Sequence, residues 1–136
     1  MPTAMTTELY WLVMTTLMTA LIFVPYILNR MKEHGVWAAL WNPQPDKQPK
    51  AQWAERLMRA HANAVENLVV FAPLVLALQI VGVSTTATAT ASTVYFFVRA
   101  AHIVFYTFAV PLLRTVAFII GVACQMTLAL TLLQVI

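Results

Sequence analysis

The chain has 136 residues, 61% hydrophobic and 10% charged, with a mean hydropathy of +0.77. Such a composition leaves too little polar surface to cover a water-soluble core and places the chain in a bilayer. One cysteine, Cys124, excludes an intrachain disulfide framework, no Cys/His metal spacing occurs, and three glycines cannot build a phosphate-cradling loop. The net charge of +3 comes from basic residues at the borders of apolar runs, which suits an anionic lipid surface or a small anionic ligand and argues against nucleic acid.

In chain order, residues 1–8 carry no Lys or Arg, and Leu9 to Leu28 then runs about one membrane thickness without an ionisable side chain other than tyrosine. This run predicts a first transmembrane helix bent near Pro25; it lacks the basic start and small-residue cleavage site of a signal peptide. Residues 29–54 read as a polar loop, with Trp37, Trp41 and Trp53 at headgroup level, an extended Pro-rich stretch at 42–50 and a solvated His34. A second crossing spans 63–83, with Pro73 as a candidate kink, and the uncharged Thr/Ala/Ser segment 84–92 reads as a short loop. A third crossing, 93–110, stops at Pro111, and a fourth runs over 115–136 with Cys124 as inert packing.

The expected fold is therefore all-α: a single-domain integral-membrane four-helix bundle. Six of the eight Lys/Arg (Arg30, Lys32, Lys47, Lys50, Arg56, Arg59) lie in or beside the first loop, and Arg114 lies in the third. The bias of positive charge to the cytoplasmic side puts loops 29–54 and 111–114 in the cytoplasm and both termini opposite.

Two polar stripes stand out against this background. Glu55, Arg59, Asn63 and Glu66 fall within an arc of about 80° on a helix, with His61 pointing nearly the opposite way as a structural interfacial residue. Arg99, His102 and Tyr106, spaced i, i+3, i+7, share an arc of about 60° on the third helix. Arg99 reads either as the ion-pair partner of Glu66 or as part of a binding site. Meeting at one depth, the stripes form a basic, donor-rich pocket flanked by lipid. Arg59 and Arg114 suit carboxylates, Glu66 suits an ammonium, and Asn63, His102 and Tyr106 add hydrogen bonds, so a zwitterionic peptide with more than one carboxylate satisfies them together.

These residues resemble a known family. Glu55-Arg56-x-x-Arg59-Ala60-His61-x-Asn63-x-x-Glu66 before an apolar helix, Arg99-x-x-His102-x-x-x-Tyr106, and Pro111-x-x-Arg114 are similar to the signature of the membrane-associated proteins in eicosanoid and glutathione metabolism (MAPEG). The resemblance is to its short prokaryotic-type members and to its microsomal glutathione transferases and prostaglandin E synthases. It covers residues 53–136 by sequence and the first helix and loop by length and pattern.

The resemblance implies a homotrimer in a prokaryotic inner membrane, holding glutathione as co-substrate between neighbouring subunits near the cytoplasmic face. Arg59, Asn63, Glu66, His102 and Tyr106 would hold the tripeptide, with Arg99 supporting them. Arg114 would stabilise the thiolate, Thr115 would stand beside the thiol, and Arg30 would reach in from an adjacent subunit. Ala62 and Phe118 depart from the pattern, standing where the prostaglandin E synthases have arginine and tyrosine.

The implied function is that of a membrane-bound glutathione-dependent transferase or peroxidase acting on lipophilic electrophiles from the bilayer. Two other classes compete with it. The missing contacts at Ala62 and Phe118 favour a non-catalytic lipid-binding or scaffold protein of the same fold. A small transporter with Glu66 as coupling carboxylate is the third reading, opposed by a first helix without an acidic residue in its membrane run.

Overall fold

The computed structural model describes residues 4–42 and 48–136; the middle of the predicted extended loop, residues 43–47, lies outside the described residues. The first rod comprises α1 (Thr7–Leu21) and α2 (Phe23–His34). Thr6 caps it, its hydroxyl accepting the Leu9 N–H at 3.2 Å. The break falls at Ile22, whose backbone stays helical (φ −60°, ψ −29°), three residues before Pro25. Pro25 has no N–H to give the Leu21 carbonyl, and the ladder is interrupted there.

The segment 29–54 is largely helical rather than a loop. Its opening Asn-Arg-Met-Lys-Glu-His contains no breaker, so α2 continues to His34. Gly35, at φ +88°, ends it in a conformation that favours glycine, and α3 (Val36–Leu40) follows. Trp37 and Trp41 stack at 5.8 Å and stay exposed, as residues of a headgroup layer do. Glu33 ties the far end of the segment back, accepting the backbone N–H groups of Lys50 (2.7 Å) and Ala51 (3.0 Å).

The next helix, α4 (Gln52–Val81), begins eleven residues before the expected crossing, because the polar stripe is built from good helix formers and belongs to the same helix. It ends on Gly82 in the left-handed region (φ +73°), where the Val83 N–H closes on the Leu78 carbonyl at 2.9 Å.

The helix α5 (Thr86–Thr107) begins inside the Thr/Ala/Ser segment expected to be a loop. A reciprocal cap explains the early start: the Thr88 N–H donates to Thr85 Oγ1 at 3.1 Å, and the Thr85 N–H to Thr88 Oγ1 at 2.8 Å. The same helix stops short of Pro111. Ala109 adopts φ +59°, and the Val110 N–H closes on the Phe105 carbonyl at 2.8 Å. Pro111 opens α6 (Pro111–Leu132) instead of ending α5, since its fixed φ suits a first helical position. Residues 111–114, expected as a loop, are the first turn of α6.

Among the described residues three helical stretches are long and apolar enough to cross a membrane: the α1–α2 rod, α4 and α6. The fourth, α5, has the length but carries Arg99, His102 and a threonine-rich start, and it packs against α1, α4 and α6. The chain is thus an all-helical membrane bundle in which three helices tolerate lipid by composition and one is sheltered by its neighbours. The core joins Leu12, Phe71, Val75, Leu78, Tyr95 and Leu128, with the Phe71 and Tyr95 rings stacked at 3.9 Å and Cys124 buried beside them.

Glu8, only 2% exposed, clasps the end of the bundle away from the basic segment. Its carboxylate accepts the Ser84 hydroxyl at 3.0 Å and the Thr88 hydroxyl, joining α1 to the α4–α5 turn. Glu8→Ala would leave both hydroxyls without this acceptor and is expected to destabilise the fold by about 1–3 kcal/mol, read from chemical denaturation in detergent. An unchanged midpoint would show the clasp to be energetically idle.

Candidate functional site

Arg99 is the centre of the polar cluster. Its guanidinium is 2% exposed inside the bundle, and Nη2 donates to Oδ1 of Asn63 on α4. The ion pair with Glu66 that the sequence allows does not form. Among the described residues Arg99 has no carboxylate partner, and Nε lacks any hydrogen-bond partner. The reason is angular: Glu66 lies about 60° round α4 from Asn63, so Asn63 turns into the bundle while Glu66 faces outward and is exposed. Gly121 on α6 lies against the Arg99 stem, where an added methyl group would sit in ordinary contact, 3.6 Å from Arg99 Cδ.

One turn further along α5, His102 is 4% exposed, its Nδ1 without a hydrogen-bond partner among the described residues. Its ring lies 5.7 Å from that of half-buried Tyr106 and 6.1 Å from that of Phe118. Arg114, in the first turn of α6, is placed over the Tyr106 ring at 4.8 Å. The Thr115 hydroxyl, exposed on the same turn, donates back to the Pro111 carbonyl at 3.1 Å. Asn63, Arg99, His102, Tyr106 and Arg114 thus form a chain of neighbours across α4, α5 and α6.

The remaining candidates stand apart. Arg59 is 67% exposed and pairs with Glu55 at 3.0 Å one turn away on α4. Glu66 lies exposed on the outer surface of the single chain. Arg30 donates from Nε to the Ala38 carbonyl at 3.1 Å and lines a separate cavity of about 260 Å³ between α2, α3 and α4. His34, expected to be solvated, is 13% exposed and lines that same cavity, because α3 folds back over it. His61 points the other way from the stripe, and its Nδ1 meets the Tyr26 hydroxyl at 2.8 Å, linking α4 to α2.

Two polar residues behind the cluster escape a reading of the sequence. Asn67 donates from Nδ2 to the Asn63 carbonyl at 2.9 Å and to Asn63 Oδ1 at 3.3 Å. Gln125 of α6, 4% exposed, donates to the Asn67 carbonyl at 3.2 Å and lies 3.4 Å from the Tyr95 hydroxyl. The available signal is a lone Gln in the middle of the apolar fourth run, since an amide at that depth needs partners.

Electrostatically the cluster is a buried cation with a neutral acceptor, a second cation at the neighbouring helix start, and unsatisfied nitrogen atoms between them. In the apolar layer such a set is receptive to an anion. Among the described residues no group of His, Cys, Asp or Glu is arranged to hold a metal. No curated protein matches the chain individually. A family profile, however, matches residues 8–134, almost end to end. With its helical membrane bundle and this coverage, the chain belongs to the MAPEG family.

Proposed function

We propose that the chain is a homotrimeric, membrane-bound, glutathione-dependent transferase or peroxidase acting on lipophilic electrophiles. The observation that carries this reading is the buried Arg99 guanidinium, bound to a neutral amide and lacking a carboxylate, next to an unpartnered His102 nitrogen. A buried cation of this kind costs several kcal/mol unless an anion completes it, and a tripeptide with two carboxylates and a thiol supplies several acceptors. The donor set fits: Arg59, Asn63, His102 and Tyr106 bind and orient the tripeptide, Glu66 takes its ammonium, and Arg99 neutralises charge behind them.

When bound, glutathione supplies a thiol nucleophile. Arg114, at the start of α6, favours the deprotonated thiol by its charge and by the positive end of the helix dipole. Thr115 lines the same turn. The exposure of Arg59 and Glu66 in one chain supports completion of the site by a neighbouring subunit, which would also bring in its own Arg30. The positive-charge bias along the sequence supports a cytoplasmic position for this end, the resemblance to prokaryotic-type members supports an inner membrane, and in this reading the lipophilic substrate enters from the bilayer.

Three local features favour a second reading, a lipid-binding protein of the same fold without turnover. Ala62 adds no donor to the stripe, Phe118 brings a bare ring towards His102, and the Thr115 hydroxyl proton is spent on its own helix. Calorimetry of glutathione on detergent-purified protein separates the two. Binding is expected for the wild type and is expected to weaken at least tenfold in Arg59→Ala and in Glu66→Gln. A folded protein that binds no glutathione but retains lipid would establish the second reading.

A further inference from the structure

We infer that Asn67 and Gln125 are positioning residues that fix the amide of Asn63 so that its Nδ2 is offered to the ligand as a donor. The inference rests on the glutathione reading of the site and adds a supporting layer to it. It begins from Arg99, which has donors only, so the atom of Asn63 facing it must be the carbonyl oxygen, whichever way the amide is otherwise drawn. Asn67 Nδ2 approaches the same oxygen at 3.3 Å while donating to the Asn63 backbone carbonyl at 2.9 Å.

With two donors converging on Oδ1, the Asn63 NH₂ points away from the network. It makes no hydrogen bond among the described residues, and the side chain sits half-buried at the edge of the bundle. An amide locked in this sense presents hydrogen to an acceptor and rejects a donor; a flipped amide would do the opposite. Gln125, buried in α6, ties this turn of α4 to α6 by donating to the Asn67 backbone carbonyl at 3.2 Å, with the Tyr95 hydroxyl 3.4 Å from the same nitrogen. The three helices are thereby joined at the level of Arg99 by amides that touch no ligand themselves.

Calorimetry with glutathione on the detergent-purified protein tests this, comparing wild type, Asn67→Leu, Asn67→Gln and Gln125→Met, each checked for its unfolding midpoint. Leucine is close to asparagine in shape but donates nothing; glutamine keeps the donor on a longer stem. Asn67→Leu is expected to weaken binding about tenfold, equivalent to about 1.4 kcal/mol, with an unshifted or raised midpoint. Asn67→Gln is expected to recover to within about threefold of wild type, and Gln125→Met to lose about threefold. A packing role predicts the reverse order, with leucine harmless and glutamine worse, and that order overturns the inference. Should Asn67→Leu fail to fold, Gln125→Met decides: an unchanged affinity overturns the inference. A wild type that binds no glutathione overturns the glutathione reading and this inference with it, whereas wild-type binding with indifferent variants overturns this inference alone.

Discussion

Arg99→Met is expected to weaken glutathione binding by at least about 30-fold while the fold keeps or gains stability. The two halves of this result come from one geometry. Arg99 is buried among α4, α5 and α6, with a neutral oxygen of Asn63 as its hydrogen-bond acceptor and Nε unsatisfied. A guanidinium in that setting has surrendered its hydration and received little in exchange, so an apolar side chain of similar length removes a cost rather than a support. Methionine is flexible enough to follow the path of the Arg99 stem past Gly121. Binding is a different matter. A desolvated charge facing an anionic ligand is worth roughly 2–5 kcal/mol, or a loss of about 30- to 5,000-fold in affinity when removed. Calorimetry beside a denaturation curve reads both quantities on one sample. A large fall in stability with affinity intact would make Arg99 a structural residue and remove the observation on which the functional reading rests.

How much of this is legible in the sequence differs from residue to residue. The membrane setting and the four helices follow from long apolar runs, and the two polar stripes follow from helical spacing that no soluble core requires. Helix ends are less legible, for a consistent reason: polar or low-complexity composition reads as loop where local capping makes helix. The hydroxyls of Thr85 and Thr88 start α5 seven residues before the predicted crossing, and the breaker-free run after Asn29 carries α2 on to His34. Pro111 reads as a stop, yet at a first helical position it is a start, and the turn before it is made by Ala109 in a left-handed conformation.

In the site, spacing places Arg99, His102 and Tyr106 on one face, but the partner of Arg99 depends on a rotation of about 60° between Asn63 and Glu66 and on how α4 and α5 pack. The same limit hides Asn67 and Gln125, whose meaning arises only when α6 is laid against α4. Glu8 is illegible for a further reason: it pairs with hydroxyls 76 and 80 residues away, and a single carboxylate near the start of the chain gives no periodic signal.

Arg114→Ala is expected to lower turnover at pH 7 by about 10²-fold and to move the rise of the pH–rate profile to higher pH by about one unit or more. The sign follows from the thiol. A free cysteine thiol has a pKa near 8.5, and a neighbouring guanidinium stabilises the thiolate and draws that value down towards neutrality. Without the cation the thiol titrates nearer its free value, so less thiolate exists at pH 7 and activity returns as the pH is raised. Arg114 stands in the first turn of α6, where the helix dipole adds positive potential, and its guanidinium lies over the Tyr106 ring at 4.8 Å. Arg114→Lys retains the charge and loses the planar fork, so its profile should stay near wild type on the pH axis while its maximum falls. Tyr106→Leu is the complementary control: it frees the guanidinium without removing its charge, and is expected to reduce the maximum with a smaller shift. If Arg114→Ala follows the wild-type profile at every pH, the thiolate is stabilised elsewhere in the site, and Arg99, the other cation of the cluster, becomes the group to test for that role.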